Sequence, residues 1–313
     1  MAEEFVVFCG NASRTLGRAV VRGLGTRAAA ARSELFPDGE VNVEILDSVR
    51  EKDVFIVQST SPPVNDHVME LLAFADACRR ASAARIFAVI PYFGYARSDK
   101  RMGGRQPIGA RLVADLLQTA GVDHVITVDL HASQIEGFFR VPVDSISAVP
   151  VLCDAVRRVL PAGTVVVSPD AGRLKVAMQY AQGLNTSVVL LHKTRATGSE
   201  THVTHLVGDV RGRPCLIVDD MISTGGTIAD SVDKLLEAGA LPGVFVAATH
   251  GLLLKGARAK LGIDGIADLF ITDTVEQPPD IWPRVHVVSV ATCLAEVIRR
   301  VTLRETVSHR GAV

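Results

Sequence analysis

Short uninterrupted apolar runs alternate along this chain with segments in which apolar residues recur every three or four positions. The first pattern predicts strands buried on both faces of a parallel sheet, and the second predicts amphipathic helices packed on that sheet. Candidate strands are Phe5–Cys9, Val54–Gln58, Ile86–Pro91, Val125–Leu130, Val165–Ser168, Val188–His192, Cys215–Val218, Val244–Ala248, Leu269–Thr272 and Val285–Val290. Candidate helices are His67–Ala81, Gly109–Ala120, Val149–Leu160, Arg173–Gln182, Ile228–Ala240 and Cys293–Val301. In the first of these, Val68, Leu71, Leu72, Ala75 and Cys78 form one stripe. Repeated strand–helix–strand units imply an α/β fold with right-handed crossovers. The rhythm is similar in the two halves, and 313 residues suggest more than one core. Two domains of like architecture are expected, 1–146 and 147–313, with the boundary in Asp144–Val149.

Residues 215–228, CLIVDDMISTGGTI, carry the most chemistry in the smallest space. Asp219 and Asp220 are expected to follow the buried strand Cys215–Val218, at the carboxyl end where open α/β sheets place their ligands. Thr224-Gly225-Gly226-Thr227 then leads into a helix. Glycines at such a turn let backbone N–H groups approach an anion, and the helix terminus adds unpaired donors and partial positive charge. Two carboxylates beside that nest would repel a bare phosphate. They suit a ligand that also presents hydroxyls or a bound cation, such as a ribose phosphate with magnesium. A tight turn with solvated acids is the plain alternative.

The first half supplies further candidates. IPYFGYARSDKR at 90–101 ends a strand and releases Arg97, Asp99, Lys100 and Arg101, with Gly103, Gly104 and Arg105 beyond. Cations on such a loop suit a polyphosphate, or are simply solvated. His131, just past another strand in VDLHASQ, can ligate a metal, orient a phosphate or serve structure. Phe36-Pro37-Asp38-Gly39-Glu40, placed between a helix and a strand beginning at Val41, reads by itself as a Pro/Gly turn. Lys193 and Arg195 in LHKTR precede Ala196–Thr201, which has the composition of a mobile loop. His202 and His205 lack a clear carboxylate partner for a metal site.

Charge and composition narrow the classes. A net charge of −1 removes a global drive toward nucleic acid or an acidic membrane, and 5% aromatics leave few stacking platforms for single strands. Five scattered cysteines without a C-x-x-C pair read as reduced core thiols of a cytoplasmic protein. MAEEFVVFCG lacks the layout of a signal peptide, and no apolar run approaches the ~20 residues of a spanning helix.

VDDMISTGGT at 218–227 resembles the ribose-phosphate loop of the type I phosphoribosyltransferases. Together with ELFPDGE at 34–40, MELLAFADACRRASAARIFAVIPYFGYAR at 69–97, DLHASQIEGFF at 129–139 and VSPDAG at 167–172, it resembles the ribose-phosphate pyrophosphokinase family, also called phosphoribosyl pyrophosphate synthetases. The resemblance spans about residues 5–301. It implies two similar phosphoribosyltransferase-like domains, each a mostly parallel sheet flanked by helices. It also implies transfer of the diphosphoryl group of ATP to the 1-hydroxyl of ribose 5-phosphate, giving AMP and phosphoribosyl pyrophosphate with Mg2+. Under the resemblance Phe36, Asp38 and Glu40 belong to an adenine-holding turn donated by a neighbouring subunit, which makes a homo-oligomer, dimer or hexamer. Arg97 and Asp99 belong to the ATP-binding run, while His131 and Asp170 are metal-associated. Asp219 and Asp220 bond the ribose hydroxyls; Ser223, Thr224, Gly225, Gly226 and Thr227 cradle the 5-phosphate; Lys193 and Arg195 are catalytic.

The match departs at three positions. Ser223 stands where the family often has an acid, Ser98 where it commonly has glutamine, and Arg173 where the pyrophosphate loop often has a second glycine. The tail RETVSHRGAV resembles the family's regulatory tail only loosely. Two other readings follow: a non-catalytic regulatory homologue, and a phosphoribosyltransferase consuming the pyrophosphorylated sugar. Retention of His131, Asp170, Lys193, Arg195, Asp219 and Asp220 argues against the first, and the elements at 36–40 and 97–99 against the second.

Overall fold

The computed structural model describes residues 5–195 and 201–307. The chain divides into two compact units, one of Met1–Ser147, Thr274–Glu276 and Ser289–Val313, the other of Ala148–Asp273 and Gln277–Val288.

In the first unit the order is β1 (Phe5–Cys9), α1 (Arg14–Leu24), β2 (Ala31–Leu35), β3 (Val41–Ile45), β4 (Asp53–Val57), α2 (Val64–Arg80), β5 (Arg85–Ile90), α3 (Gly109–Ala120), β6 (His124–Val128) and β7 (Val143–Ile146). Strands β1, β4, β5, β6 and β7 form one parallel sheet in that order. Their apolar runs are buried because helices cover the sheet, and Phe55 of β4 stacks on Phe87 of β5 at 4.4 Å between centroids. Strands β2 and β3 pair separately as an antiparallel ribbon. The turn Phe36–Glu40 therefore joins two strands, where the sequence pattern had suggested a helix before it. ARSEL of β2 keeps no residue fully buried, so it carries no apolar run to read.

The second unit runs α4 (Val149–Arg157), β8 (Val165–Ser168), α5 (Leu174–Leu184), β9 (Val188–Arg195), β10 (Thr201–Val207), β11 (Cys215–Ile222), α6 (Gly226–Glu237), β12 (Val244–Gly251), α7 (Ala257–Leu261), β13 (Ile266–Thr272) and β14 (Val285–Val288). The sheet order is β10-β9-β8-β11-β12-β13-β14, parallel except for β10 against β9. Strand order reverses at β8, which has β9 on one side and β11 on the other. Such a reversal opens a crevice at the carboxyl ends of the strands. Asp219 and Asp220 lie inside β11, because pairing with β12 continues as far as Ile222. The expected position just beyond the strand is corrected accordingly.

The final helix, α8 (Ala291–Thr302), is grouped with the first unit, where Arg299 donates to the Gly23 carbonyl on the last turn of α1 at 2.9 Å. A division at 146/147 alone would have left it with the second. The five cysteines are free thiols. Burial pushes Cys9, Cys153 and Cys215 up to about 11 and Cys78 to about 12, so these four stay protonated. Among the described residues no helix is long and apolar enough to cross a membrane.

Candidate active site

The crevice of the second unit is lined by the loops that follow β8 and β11. After β8, Ser168 donates its hydroxyl proton to the Asp170 carbonyl at 2.7 Å, and Asp170 Oδ1 accepts from the Arg173 N–H at 3.1 Å. That local capping bends Asp170–Arg173 into a single 3-10 turn ahead of α5. On β11, Asp219 and Asp220 are both buried. The Asp220 N–H donates to Asp219 Oδ1 at 2.8 Å. Arg173 Nε stands 3.3 Å from Asp219 Oδ1 and 3.1 Å from Asp220 Oδ1. Burial first, then the neighbouring Asp220 carboxylate, push the Asp219 carboxyl well above the usual range, against the opposing pull of Arg173.

Beyond β11 the chain turns sharply into α6. Gly225 caps the helix at φ 78°, and a Cβ there would sit 2.7 Å from Leu261 Cγ, so both conformation and space demand glycine. The turn is pinned from outside: Leu252 and Leu253 N–H groups donate to the Ile222 carbonyl, and Leu254 N–H donates to that of Ser223. No side chain caps α6 and no acid lies in its first turn. Its first N–H groups thus keep their capacity for an anion. Thr224 and Thr227 are exposed beside them. A Cβ built on Gly226 would lie 3.8 Å from Lys260 Nζ and 4.0 Å from Thr224 Oγ1, which places an exposed ammonium at the same spot.

The first unit carries its candidates on loops. In the turn between β2 and β3, Phe36 N–H donates to the Glu40 carbonyl at 2.8 Å, and Asp38 Oδ1 accepts from Glu40 N–H at 3.1 Å. These bonds hold the Phe36 ring outward, 45% exposed. After β5, Arg97, Lys100, Arg101 and Arg105 are exposed and, among the described residues, form no ion pair. Asp99 is buried and accepts from Gln134 Nε2 at 2.5 Å, which ties this loop to the one bearing His131. Ser98 Oγ accepts from the Gly109 N–H at 2.9 Å, so the serine at this position anchors the start of α3.

Lys193 and Arg195 occupy the last turns of pairing in β9, opposite Val203 and Thr201 of β10. Their side chains, those of His202 and His205, and the segment 196–200 lie outside the described residues. His131 belongs to the first unit and Asp170 to the second. Among the described residues no three His, Cys, Asp or Glu side chains cluster as a metal site. The sequence pattern missed two cations at the second-unit crevice: the contact of Arg173 with the acid pair, and Lys260.

Residues 5–121 match the N-terminal domain of ribose phosphate pyrophosphokinase, and residues 195–310 match the phosphoribosyl synthetase-associated domain. A ribose-phosphate pyrophosphokinase of Maricaulis maris is 45% identical over 302 residues, covering 96% of this chain and 97% of the relative. The chain belongs to the ribose-phosphate pyrophosphokinase family. The same name attaches to a Pasteurella multocida relative, 44% identical over 310 residues, covering 97% of this chain and 98% of that protein. A crystal structure of the phosphoribosylpyrophosphate synthetase of Mycobacterium smegmatis matches at a TM-score of 0.91 and 41% identity, covering 96% of this chain and all of that one. The pyrophosphokinase family accounts for the α/β architecture of parallel sheets flanked by helices, and makes the chain a diphosphokinase that synthesises phosphoribosyl pyrophosphate.

Proposed function

We propose that the chain takes ATP as donor and ribose 5-phosphate as acceptor, that magnesium is its cofactor, and that the residues named above divide the work between its two units. The observation that carries this reading is the second-unit crevice, where an acid pair and an uncapped, glycine-lined helix terminus lie in one short stretch, 219–226. Asp219 and Asp220 accept from the sugar hydroxyls, and the backbone of Ser223–Thr227 with the two threonine hydroxyls binds the 5-phosphate. Serine at 223 still donates to and accepts from a hydroxyl, and reaction occurs at phosphorus rather than at the sugar carbon.

Phe36, Asp38 and Glu40 hold adenine, and Arg97 and Asp99 serve the nucleotide phosphates. His131 and Asp170 would hold magnesium together with phosphate oxygens. Asp170 suits such a role: its Oδ1 accepts from the Arg173 N–H, and its other oxygen has no partner among the described residues. When bound, the ion neutralises charge on the phosphoryl groups flanking the attacked β-phosphorus. Lys193 and Arg195 place fixed positive charge on the phosphoryl oxygens as the bond to AMP breaks. The exposed Phe36 turn completes the adenine pocket of a second copy, so the active form is a homo-oligomer, dimer or hexamer, in the cytoplasm. Light scattering during turnover checks the assembly; a fully active monomer would contradict it.

The test of the activity is incubation of the pure protein with ATP, ribose 5-phosphate and magnesium. Stoichiometric AMP and phosphoribosyl pyrophosphate are expected. Activity only on addition of another family member would instead mark a regulatory homologue, and consumption of phosphoribosyl pyrophosphate with a base a phosphoribosyltransferase.

A further inference from the structure

In a strand, consecutive side chains leave on opposite faces. Asp219 and Asp220 are consecutive on β11, yet one oxygen of each converges on the same Arg173 Nε, at 3.3 Å and 3.1 Å. All three side chains are largely buried, at 15% exposure for Arg173, 12% for Asp219 and 6% for Asp220. Two buried carboxylates this close need a cation between them. The chain supplies it from a neighbouring strand's loop, through the β8–β11 pairing that runs from Cys215 to Ile217. Arg173 is also fixed at its own backbone, where its N–H donates to Asp170 Oδ1 at 3.1 Å. One residue therefore links the Asp170 loop to the acid pair.

We propose that Arg173 is a positioning residue of the ribose site, gathering Asp219 and Asp220 onto one side of β11 so that both meet the sugar hydroxyls. The proposal rests on the assignment of the acid pair to ribose. In this role the guanidinium acts through the two carboxylates. Substitution should therefore weaken ribose 5-phosphate selectively, leaving ATP recognition and the step at phosphorus nearly untouched.

Calorimetric titration of ribose 5-phosphate, with steady-state kinetics alongside, tests this on the full chain. Arg173→Met keeps the aliphatic stem and removes the charge. It should raise the dissociation constant and the KM for ribose 5-phosphate by about tenfold or more, with the KM for ATP and kcat within about threefold. Arg173→Lys should recover most of the loss. If Arg173→Met fails to fold, Arg173→Met/Asp219→Asn removes one charge of each sign and should fold; it is compared with Asp219→Asn alone, and should bind the sugar more weakly than that variant. Unchanged ribose 5-phosphate affinity in the variant that folds, or equal loss for both substrates, would overturn the proposal. Asp220→Asn separates the two levels. If it too leaves the affinity unchanged, the ribose assignment itself fails. If it weakens binding while Arg173→Met does not, only the positioning role is lost.

Discussion

The two units present their candidate residues for phosphate chemistry by opposite means. The second builds its site into the sheet: buried acids inside β11, a bridging guanidinium, and backbone donors at an uncapped helix start. The first keeps its candidates outside: an exposed phenyl ring on a ribbon turn and four exposed cations on the loop after β5. Strand order in the second sheet reverses at β8, and in the first β1 has β4 on one side and a single parallel bridge from Val7 to Ala28 on the other, so the contrast lies in what the loops of each unit carry. A fixed crevice suits a small rigid sugar phosphate that must be held in one pose. Exposed cations suit a longer polyphosphate whose charge is spread and whose binding is screened by salt.

The largest effect is expected at the proposed catalytic lysine. Lys193→Ala should lower kcat by roughly 10²–10³, because a fixed charge on a developing phosphoryl oxygen contributes about 3–4 kcal/mol. Michaelis constants should move only a few-fold and thermal stability hardly at all. Near-normal turnover with a large rise in KM would instead make Lys193 a ground-state phosphate ligand.

Asp220→Asn sharpens the contrast from the second unit. Loss of a charge-assisted acceptor to sugar hydroxyls is worth about 1.5–3 kcal/mol, so the KM for ribose 5-phosphate should rise roughly 10–100-fold. The KM for ATP, measured in the same assays, should stay within about twofold.

Gly225→Ala attacks the cradle itself. Left-handed backbone costs a residue with a Cβ about 1–2 kcal/mol, and the close approach of Leu261 adds to it. Chemical denaturation should show that loss, together with weaker ribose 5-phosphate binding. Wild-type values for both would mean the loop is free to relax.

The smallest effect belongs to the first unit. Arg97→Ala removes one exposed cation among four, worth no more than about 1 kcal/mol, so the KM for ATP should rise roughly 2–5-fold and more steeply at low salt. A salt-independent change would contradict a screened contact.

The sequence pattern reveals these two units unevenly. Strands such as β1 and β8 are bounded correctly because their apolar runs coincide with burial, complete in β8 and central in β1. The crevice motif is legible because acids, glycines and helix follow one another without a gap. The reading of β11 stopped at Val218 because buried carboxylates break an apolar run, although backbone pairing ignores side-chain polarity. The β2–β3 ribbon is at most half-buried, and neither of its strands presents an uninterrupted apolar run. In α1, RTLGRAVVRGL buries only Leu16, Gly17, Val20 and Val21, a short stripe with a glycine in it, and α7 is too short for periodicity to register. Arg173 and Lys260 reach the site only through strand order and helix placement, which local spacing does not encode.

The division of labour is tested most directly by calorimetric titration of ribose 5-phosphate, without nucleotide, into the wild-type chain, Asp220→Asn and Arg97→Ala. The account predicts that Asp220→Asn loses about tenfold or more in affinity while Arg97→Ala binds like wild type. Equal weakening in both variants, or undiminished binding by Asp220→Asn, would contradict it.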